Sequence, residues 1–586
     1  MSMKTFYESD IRKRTLVVSF TLAAWCTLVL FRLVDLQVLH HPGFKVRAVK
    51  QSQAKVTVRA RRGDILDRHG KVLASSLPVS TVKLSPVEKE TPAQEEQKVG
   101  RLKEVLGLSD KETADILKNL REDNFTYVKK QVPPEVAARV RGLKLAGIGF
   151  DEEFRRSYPN GELAAHVLGG VNADGAGRAG VELRYDDILK GEDGEQVALK
   201  DNKHRSYQSQ LLKPPRPGQT IVLTIDTPVQ YMTERALARA IAEHSAASGT
   251  ITISDPATGD ILALANWPTY DASRYTESRE AWLNRAIGYT FEPGSTFKIV
   301  AAAAALEEGL VRWSDVFDCT AGSIKVGPLT ITDHERMGVL DFPKVLIHSS
   351  NVGTVKFAHR LAMADLYEMI RRFGFGRKTG IDLPAEEPGL VRPLAKWNKV
   401  ISLPHVAIGY EVGVTPLQVL RAMNVFATGG RLVRPRVVFR SPAGQASPVL
   451  GPSPDDTVLT RDLAEALTRR VFEKVVEEGT AKLGRLDEFW AAGKTGTAQK
   501  FDTVLNAYTT KKHTASFVGF VPSRRPVLSI VVVLDDPKEE FYYGGQVCAP
   551  IFRDLAREVL RYMGVTPERA MADGVVTAAP GGKVRP

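Results

Sequence analysis

The chain has 586 residues and a net charge of +12, with 43% hydrophobic and 25% charged residues. This composition is ordinary for a globular protein of about three or four domains. A basic chain suits a nucleic acid, an anionic membrane or an acidic polymer. Zinc-ligand spacings, glycine-rich phosphate loops and dense Lys/Arg blocks beyond the N-terminus are absent from the sequence. A nucleic acid is therefore the weaker interpretation, and no nucleic-acid partner is predicted.

The N-terminal segment has the pattern of a membrane anchor. Residues 1–14 are polar and end in three basic residues, and an uncharged apolar run follows from Thr15 to Phe31. Its length is at the short end for a spanning helix, and we predict a transmembrane helix over residues 15–36. A cleaved signal peptide is the main alternative, but no small-x-small cleavage site follows the run. A buried core helix is a third option, disfavoured by the position at the extreme N-terminus.

The distribution of basic residues predicts the orientation of this anchor. The basic residues before the apolar run place residues 1–14 in the cytoplasm as a short tail. The rest of the chain would then lie outside the cytoplasm, in a single-pass protein of the cell membrane. Basic residues also follow the run, at Lys45, Arg47 and Lys50, so the charge asymmetry is modest.

Residues 37–215 are predicted to form a pedestal or interaction module. Residues 55–86 alternate in places like strands, with a turn at Asp67–Gly70, and residues 87–123 have a charged helical pattern. Further short strands and loops follow, and Arg155–Pro159 and Gly180–Glu182 are interpreted as turn and packing elements. No nucleophile and base stand in a suggestive arrangement before residue 215.

Residues 216–563 are predicted to form an α+β domain, an antiparallel sheet flanked by helices. Pro214–Gly218 marks its beginning. The predicted elements are strands at 220–225, 249–254, 514–521 and 527–534, and helices at 228–243 and 549–562. Residues 564–586 are rich in Ala, Gly and Pro and are predicted to be disordered.

The three cysteines restrict the disulfide possibilities. Cys26 lies in the apolar run, so the single bridge open to the chain is Cys319–Cys548. Two buried free thiols are the default interpretation, and stability is not expected to depend on a disulfide.

Ser295 and Lys298 form a Ser-x-x-Lys motif at the start of a predicted helix. Pro293-Gly294 breaks the chain before them, and the alanine run 301–305 that follows favours a helix. Residues three apart share a helix face, so the lysine should reach the serine hydroxyl. An apolar helix removes hydration from a lysine and lowers its pKa, which makes it a base. The motif therefore predicts an activated serine nucleophile, although a capped, solvated helix start has the same pattern.

Two later motifs are candidates for the rest of the site. Ser349-Ser350-Asn351 lies between two predicted helices, where a serine can relay a proton and an amide can bind substrate. Lys494-Thr495-Gly496-Thr497 is predicted on an edge strand, with Gly496 allowing a substrate backbone to approach. Lys494 supplies a positive charge, and the N–H groups of Thr497 and Ser295 are predicted to form an oxyanion hole.

A second Lys-Thr-Gly triplet, at 378–380, is interpreted as structural. It follows a predicted helix and runs into a Pro-rich loop, with no strand pair behind it. We therefore assign it no part in catalysis.

The three motifs in this order resemble those of the class B penicillin-binding proteins, most closely the division-specific FtsI type. The matching stretches are RRGDILDRHG near 61–70, FEPGSTFK at 291–298, SSNVGT at 349–354, GFGRKTGIDLPAEEPG at 374–389, KTGTAQK at 494–500 and YYGGQVCAPIF at 542–552. The resemblance covers about residues 10–563. It implies a penicilloyl-serine transferase fold behind a transmembrane helix and an elongated mixed α/β pedestal of the penicillin-binding-protein dimerisation type.

The resemblance also implies a reaction, peptidoglycan D,D-transpeptidation, and a role for each site residue. Ser295 would be the acylated nucleophile and Lys298 its base, Ser349 would relay the proton, and Asn351 would bind the D-Ala-D-Ala donor peptide. The substrate carboxylate would be held by Lys494 and Thr495. No metal or organic cofactor is needed. Lys298 is expected to be neutral in the resting site, because Lys494, a second cation close by, would lower its pKa.

Several alternatives stay open. A β-lactamase uses the same motifs with a deacylating glutamate, for which Glu386 and Glu387 are candidates, although an exposed acidic loop is the simpler interpretation. A non-catalytic β-lactam sensor or division scaffold is the second alternative, and an elongation-branch transpeptidase the third; Val352-Gly353 favours the division branch. The resemblance implies β-lactams, a polytopic membrane glycosyltransferase and other division proteins as partners.

Overall fold

The computed structural model describes residues 3–45, 53–87, 90–122, 125–200, 206–277, 279–440, 456–502, 507–538 and 542–569. The chain divides by packing into two compact units. The first takes its residues from Met1–Arg61, Pro78–Phe154 and Gly191–Pro217, and the second from Arg62–Leu77, Arg155–Lys190 and Gly218–Pro586. The packing thus assigns two segments of the predicted pedestal to the second unit. The segment limits predicted from the sequence otherwise stay predictions.

A long N-terminal helix spans Met3–Val34 and continues as a π-helical turn over Asp35–Leu39. Its stretch Ile11–Leu39 has a mean hydropathy of 2.0 and is long enough to cross a membrane. The large apolar side chains of this stretch are exposed, Phe31 by 78%. Lipid is the environment that would cover such a surface, so the helix is a candidate for the predicted anchor. It is the one helix of this kind among the described residues.

The first unit also contains an antiparallel three-stranded sheet and a small helical layer. The sheet is formed by Gln53–Val58, Gly194–Lys200 and Ser206–Lys213 in that order. The helices are Pro92–Leu106, Asp110–Arg121 and Pro134–Gly142. They pack on the strand residues Val82, Leu84, Val128 and Val132, and the first two helices begin with capping boxes.

The second unit is built around an antiparallel five-stranded sheet. Its labelled strands are β1 (Ser248–Ser254), β2 (Ile261–Trp267), β3 (Ser323–Val326), β4 (Leu329–Thr332), β5 (Ala492–Asp502), β6 (Ala507–Val521) and β7 (Leu528–Asp535). The order in the central sheet is β2-β1-β7-β6-β5, and β3 and β4 form a separate hairpin. Strand β5 is therefore at the edge, as predicted, and β6 and β7 confirm the predicted strand pair.

Helices flank this sheet. They are α1 (Thr227–His244), α2 (Lys298–Glu307), α3 (Phe342–Ile347), α4 (Asn351–Ala358), α5 (Pro416–Ala427) and α6 (Gly544–Tyr562). Strands β1 and β7 are buried along almost their whole length because helices cover the sheet. The last helix begins earlier than the predicted residue 549 and contains Pro550. The predicted antiparallel sheet with flanking helices is confirmed.

Shorter elements complete the second unit. Its other helices include Ala165–Leu168, Gly180–Arg184, Asp186–Leu189, Arg285–Gly288, Met363–Arg372, Ser402–Ala407, Arg461–Leu467 and Glu473–Glu477. Its other strands include Ile65–Leu66, Gly170–Val171, Gly177–Ala179, Ile221–Leu223, Val316–Asp318, Val339–Asp341, Leu390–Val391, Val412–Gly413 and Val438–Arg440. The strand predicted at 220–225 pairs with Ile65–Leu66 rather than with the central sheet. The strand Val72–Leu84 and the strand Ile148–Ser157 each have residues in both units.

A buried ion-pair cluster forms where turn and packing elements were predicted. Glu182 is fully buried, and its carboxylate accepts hydrogen bonds from Arg62 Nε at 2.7 Å and Arg156 Nε at 2.6 Å. Tyr158 donates to the same carboxylate, and Arg62 also bonds Asp186. These segments therefore act in packing, as predicted, but through buried charges that the sequence pattern did not indicate.

The cysteines and the C-terminal segment settle two further points. Cys319 and Cys548 are buried free thiols, which confirms the default interpretation. The second unit extends past Met563, the predicted end of the catalytic domain. The Arg569 guanidinium lies 3.5 Å from the centre of the Trp490 ring, and the Arg569 backbone N–H donates to Glu488 O. The rest of the segment predicted to be disordered, residues 570–586, lies outside the described residues.

Candidate active site

Ser295 lies in a tight turn directly before helix α2. Residues Gly294–Phe297 form a 3-10 helix, and the α-helix begins at Lys298. The first α-helical turn was predicted for Ser295; the structure differs because Gly294 has φ of +53°, and Thr296 Oγ1 bonds Pro293 O at 2.9 Å to close the turn. A Cβ atom on Gly294 would lie 2.9 Å from Thr497 O, so only glycine lets the turn sit against strand β5.

The Lys298 side chain is completely buried beneath this turn. Its Nζ donates to Ser349 O at 2.6 Å, to Asn351 Oδ1 at 2.7 Å and to Ser349 Oγ at 3.3 Å. Burial lowers the pKa of Lys298 to about 7, against the opposing effect of the Asp333 carboxylate. A substantial fraction of the amine is therefore neutral at neutral pH, as expected. Burial is the cause, as predicted for a lysine in an apolar helix, and the expected effect of Lys494 as a second cation is wrong. Among the described residues the lysine bonds the Ser349 turn and not Ser295 Oγ.

The Ser349 turn joins helices α3 and α4, as predicted. Ser349 has φ of +60°, a left-handed conformation that a serine seldom adopts and that occurs at functional sites. Ser350 caps α4 by accepting from Gly353 N at 2.9 Å. Gly353 is in turn required there, because a Cβ atom would lie 2.7 Å from the Val345 side chain. The turn thus aims the Ser349 hydroxyl at both lysines.

Asp333, which the sequence interpretation missed, anchors this turn. Its carboxylate accepts from Asn351 N, from Val352 N at 3.0 Å and from Ser350 Oγ at 2.8 Å. Asn351 Nδ2 also donates to Thr332 O at 2.7 Å, at the end of strand β4. Negative charge at the start of α4 is favourable because it meets the free N–H groups there. A lone aspartate so far from the Ser-x-Asn motif gave no signal in the sequence.

Lys494 projects from edge strand β5 into the same cluster. Its Nζ donates to Ser349 Oγ at 3.0 Å and to Thr495 O at 3.2 Å, and the side chain is almost completely buried. Burial and then the charge of Lys298 hold the pKa of Lys494 well below its usual range. The two lysines therefore meet at one serine hydroxyl. No carboxylate lies within ion-pair distance of either amine in the part of the chain that the structure describes.

The rest of the Lys-Thr-Gly-Thr motif has three different environments. Thr495 Oγ1 hydrogen-bonds Thr480 Oγ1 at 2.7 Å, and Thr497 Oγ1 accepts from Gly544 N at 3.0 Å. A Cβ atom on Gly496 would lie 2.4 Å from Ser516 Oγ and 2.9 Å from Pro293 O. Gly496 thus lets β5 pack against the turn that carries Ser295. The expected approach of a substrate backbone to Gly496, and the oxyanion hole, stay predictions.

The second Lys-Thr-Gly triplet lies away from the cluster and has a structural partner. Glu386 is buried, and its carboxylate accepts from Thr379 N at 2.7 Å, from Thr379 Oγ1 and from Gly380 N at 3.2 Å. The interpretation of 378–380 as a structural loop is therefore confirmed. The prediction of an exposed acidic loop is wrong for Glu386, because these donors hold its carboxylate inside the protein. It is confirmed for Glu387, which is exposed.

An open cleft of about 610 Å³ lies over the cluster. Its walls are Ser295, Leu329, Thr330, Ile331, Thr332, His334, Ser349, Asn351, His405, Ile408, Tyr410, Thr480, Thr495, Thr497, Gln499, Tyr508, His513, Tyr542, Tyr543, Gly545 and Gln546. Five of the eight predicted site residues line it: Ser295, Ser349, Asn351, Thr495 and Thr497. Lys298, Lys494 and Gly496 lie beneath its surface. The structure therefore brings together all three motifs predicted to form the site.

The aromatic and histidine walls of the cleft were not predicted. Tyr410 and Tyr508 meet edge to face at 5.1 Å, and Tyr508 OH donates to Glu292 Oε1 at 3.0 Å. Burial raises the pKa of Glu292. Tyr410 and Tyr508 are far apart in sequence and belong to none of the three motifs, so only the fold shows that they share a cleft.

A half-buried serine beside two buried amines whose pKa values are lowered is equipped for acyl transfer. A neutral lysine can take the hydroxyl proton, and a second buried amine can stabilise a carboxylate or return a proton. No group of three His, Cys, Asp or Glu residues is placed to hold a metal ion within the described ranges. The expectation that no cofactor is needed stays a prediction.

Family models match most of the chain. The model described as penicillin binding protein transpeptidase domain matches residues 249–557, and the model described as penicillin-binding protein dimerisation domain matches residues 57–223. The first match contains the whole cluster around Ser295, and the second covers most of the predicted pedestal.

Curated relatives and solved structures are similar over most of their length. The probable peptidoglycan D,D-transpeptidase PenA of Neisseria meningitidis is 32% identical over 571 residues, 95% of each chain. The peptidoglycan D,D-transpeptidase FtsI of Escherichia coli is 32% identical over 94% of this chain and 92% of its own. A crystal structure of penicillin binding protein 3 from Mycobacterium tuberculosis, complexed with aztreonam, matches with a TM-score of 0.67 and 26% identity over 88% of this chain and 99% of its own.

Proposed function

The chain belongs to the penicillin-binding protein transpeptidase family, and on that premise we propose how its residues carry out the reaction. It is a class B, serine-type peptidoglycan D,D-transpeptidase of the FtsI type, which cross-links stem peptides through an acyl-enzyme and is a target of β-lactams. The observation that carries the residue assignment is the meeting of Lys298 and Lys494 at the Ser349 hydroxyl, beside Ser295 in one cleft.

In acylation, Ser295 Oγ attacks the carbonyl carbon of the penultimate D-Ala while neutral Lys298 takes its proton. The lowered pKa of Lys298 supplies that neutral amine near neutral pH. The N–H groups of Ser295 and Thr497 receive the developing oxyanion. Lys494 then gives a proton through the Ser349 hydroxyl, which contacts both lysines, to the leaving D-Ala nitrogen as its bond to carbon breaks. Lys298 therefore keeps the serine proton in the acyl-enzyme, and Lys494 regains its own proton from water.

Substrate binding uses the polar groups that line the cleft. The terminal carboxylate of the donor is recognised by Thr495, with the buried positive charge of Lys494 beneath it. A carboxylate arriving there raises the pKa of Lys494, so the amine is charged when substrate is bound. Asn351, whose amide is fixed by Thr332 O and Lys298, binds the donor peptide backbone.

A β-lactamase is the less favoured candidate. Rapid deacylation would need a carboxylate at the cleft, and the two glutamates considered for it, Glu386 and Glu387, do not line the cleft. Glu386 is also committed to Thr379 and Gly380. A long-lived acyl-enzyme is therefore the expected product with a β-lactam.

The cellular setting is part of the proposal. The helix with the span Ile11–Leu39 anchors the chain once in the membrane, with residues 1–14 in the cytoplasm and the catalytic cleft on the opposite, periplasmic side. A septal role in cell division is supported by the FtsI and PenA relatives. A polytopic membrane glycosyltransferase and other division proteins are the proposed protein partners, through the anchor and the pedestal.

Covalent labelling tests the residue assignment. The full chain in detergent is incubated with a fluorescent penicillin, and labelling is expected to vanish in Ser295→Ala while the circular dichroism spectrum is kept. Labelling that survives in this variant would overturn the assignment of Ser295 as the nucleophile. Release of the drug within seconds would instead favour the β-lactamase.

A further inference from the structure

Three histidines line the active cleft, and none belongs to the three motifs. They are His334, His405 and His513. An imidazole is the side chain that most readily exchanges protons near neutral pH, so each is a candidate for a step that the lysines do not serve. Their surroundings distinguish them.

Two of the three imidazoles are already engaged. His405 Nδ1 lies 3.3 Å from Glu411 Oε1 and is largely buried. His513 is stacked on the Tyr542 ring, with centroids 3.9 Å apart and an angle of 14° between the planes. Both rings are therefore held as parts of the cleft wall.

The third imidazole, that of His334, is available to a ligand. Its side chain is 37% exposed, and its nearest charged partner is Glu335, with Nε2 and Oε1 3.7 Å apart, beyond hydrogen-bond distance. Within the described part of the chain the ring makes no hydrogen bond. Across from it stands Tyr543, at the start of α6, with 6.4 Å between the ring centroids.

The backbone at His334 is fixed to the catalytic turn. It directly follows Asp333, whose carboxylate holds Asn351 and Val352, and it comes two residues after Thr332, whose carbonyl holds the Asn351 amide. An imidazole on this anchored segment, beside the cleft that contains Ser295, has a defined position relative to the acyl group that the serine carries.

We infer that His334 is the base that takes the proton from the acceptor amine in the second half of the reaction. This inference rests on the proposed function, because it requires the Ser295 acyl-enzyme. Lys298 carries the serine proton after acylation, so a separate acceptor for the amine proton is needed at the open side of the cleft.

Aminolysis of the acyl-enzyme forms one C–N bond and breaks the ester bond to Ser295. The neutral acceptor amine attacks the ester carbonyl carbon, its lone pair forms the C–N bond, and the carbonyl π pair moves onto oxygen. The ammonium-like nitrogen so formed gives its proton to the His334 imidazole. The oxyanion then collapses, the bond from carbon to Ser295 Oγ breaks, and Oγ regains the proton held by Lys298. The imidazolium releases its proton to water at the exposed side of the ring.

The charges around His334 support a neutral imidazole in the resting site. Burial lowers the pKa of His334 below its ordinary value near 6.5, and Lys298 and Lys494 lower it further whenever they are protonated. The carboxylates of Glu335 and Asp333 act in the opposite direction but do not reverse the shift. The ring is therefore an acceptor, and not a donor, of protons at neutral pH.

The partition of one acyl-enzyme tests this role. The full chain in detergent is given an acyl-D-alanyl thioester as donor and D-alanine as acceptor amine. Thiol release reports acylation, and the ratio of aminolysis to hydrolysis products reports the acceptor step. His334→Gln is expected to change acylation by less than about twofold and to lower the ratio by about tenfold or more. His359→Gln, a change to an exposed histidine just beyond the end of α4, is the control and should alter neither.

The pH dependence and a rescue experiment exclude a merely structural effect. The difference between the original chain and His334→Gln should shrink as the pH falls through the lowered pKa of His334, because a charged imidazole cannot accept the amine proton. Added imidazole should restore the aminolysis ratio of His334→Ala. An unchanged ratio, a parallel loss of acylation and aminolysis, or a rescue that fails would each overturn the inference. A chain that forms no acyl-enzyme from the thioester would instead contradict the proposed function.

Discussion

Arg62 and Arg156 share the Glu182 carboxylate in one cluster of buried charge, whereas Lys298 and Lys494 share only the Ser349 hydroxyl in another. Both clusters lie in the second compact unit, and both contain two basic side chains. Burial alone would lower the pKa of Arg62, but the charges of Glu182 and Asp186 outweigh it and raise that pKa. Burial lowers the pKa of both lysines, because no carboxylate pairs with them directly.

The difference separates stability from chemistry. A cation that is paired inside a protein stays charged and holds segments together, but it cannot exchange protons near neutral pH. A buried lysine without a paired carboxylate is an unfavourable arrangement for the folded state that makes a base available. The first cluster therefore contains carboxylates that pair with its arginines. In the second cluster, the Asp333 carboxylate bonds the backbone of the Ser349 turn and does not pair with either lysine.

The largest effect is expected from removing the base. Lys298→Met should lower the rate constant for acylation by a fluorescent penicillin by about 10³-fold or more, because a general base contributes about 10²–10⁴-fold and the hydroxyl proton loses its acceptor. The midpoint of thermal unfolding should not fall, because the variant also removes a desolvated amine. A large loss of stability together with a small loss of acylation would show that Lys298 has a structural role and is not the base.

The opposite result is expected in the paired cluster. Glu182→Gln removes the carboxylate that two buried guanidinium groups share, although Arg62 keeps Asp186 as a second partner, and should lower the free energy of unfolding by about 3–5 kcal/mol. Acylation per folded molecule should change little. The matched control is Glu465→Gln, which removes the exposed partner of Arg461 and should lower that free energy by less than about 1 kcal/mol. Equal effects of the two changes on chemical denaturation would show that burial of the pair has no energetic consequence.

A smaller effect on pH dependence is expected at the carboxylate behind the turn. Asp333 raises the pKa of Lys298, so Asp333→Asn should lower it. The neutral amine would then form at lower pH, and the acid limb of the acylation rate should move down by about one pH unit. Asp341→Asn removes another helix-capping carboxylate, at the start of α3, and is the control. A limb that moves upward, or moves equally in the control, would contradict the electrostatic role of Asp333.

The sequence was sufficient for the parts of this site that are local. A serine and lysine three residues apart before an alanine run, and a Lys-Thr-Gly triplet before a strand pair, follow from chain-breaking residues and helix and strand patterns. The edge position of β5 and the turn before α4 were predicted in the same way. The structural role of the second triplet also followed from its place in a loop.

The parts that were missed depend on contacts between distant segments. Asp333 and His334 come at the end of strand β4, and only the fold places this strand beside the Ser349 turn. The wall residues Tyr410, Tyr508 and Tyr543 likewise belong to three separate segments. Glu386 was taken as exposed because its loop is polar, whereas three hydrogen bonds from Thr379 and Gly380 hold it inside. Buried polar networks of this kind are set by tertiary packing rather than by local pattern.

The pH dependence of acylation in the unaltered chain tests the contrast between the two clusters most directly. The second-order rate constant for labelling by a fluorescent penicillin is measured from pH 5 to 10 on the full chain in detergent. An acid limb with a midpoint near the pKa of about 7 is the result expected for Lys298 as an unpaired, buried base. A limb centred near the ordinary lysine value of 10.5 would show that the amine stays charged, and would contradict the account.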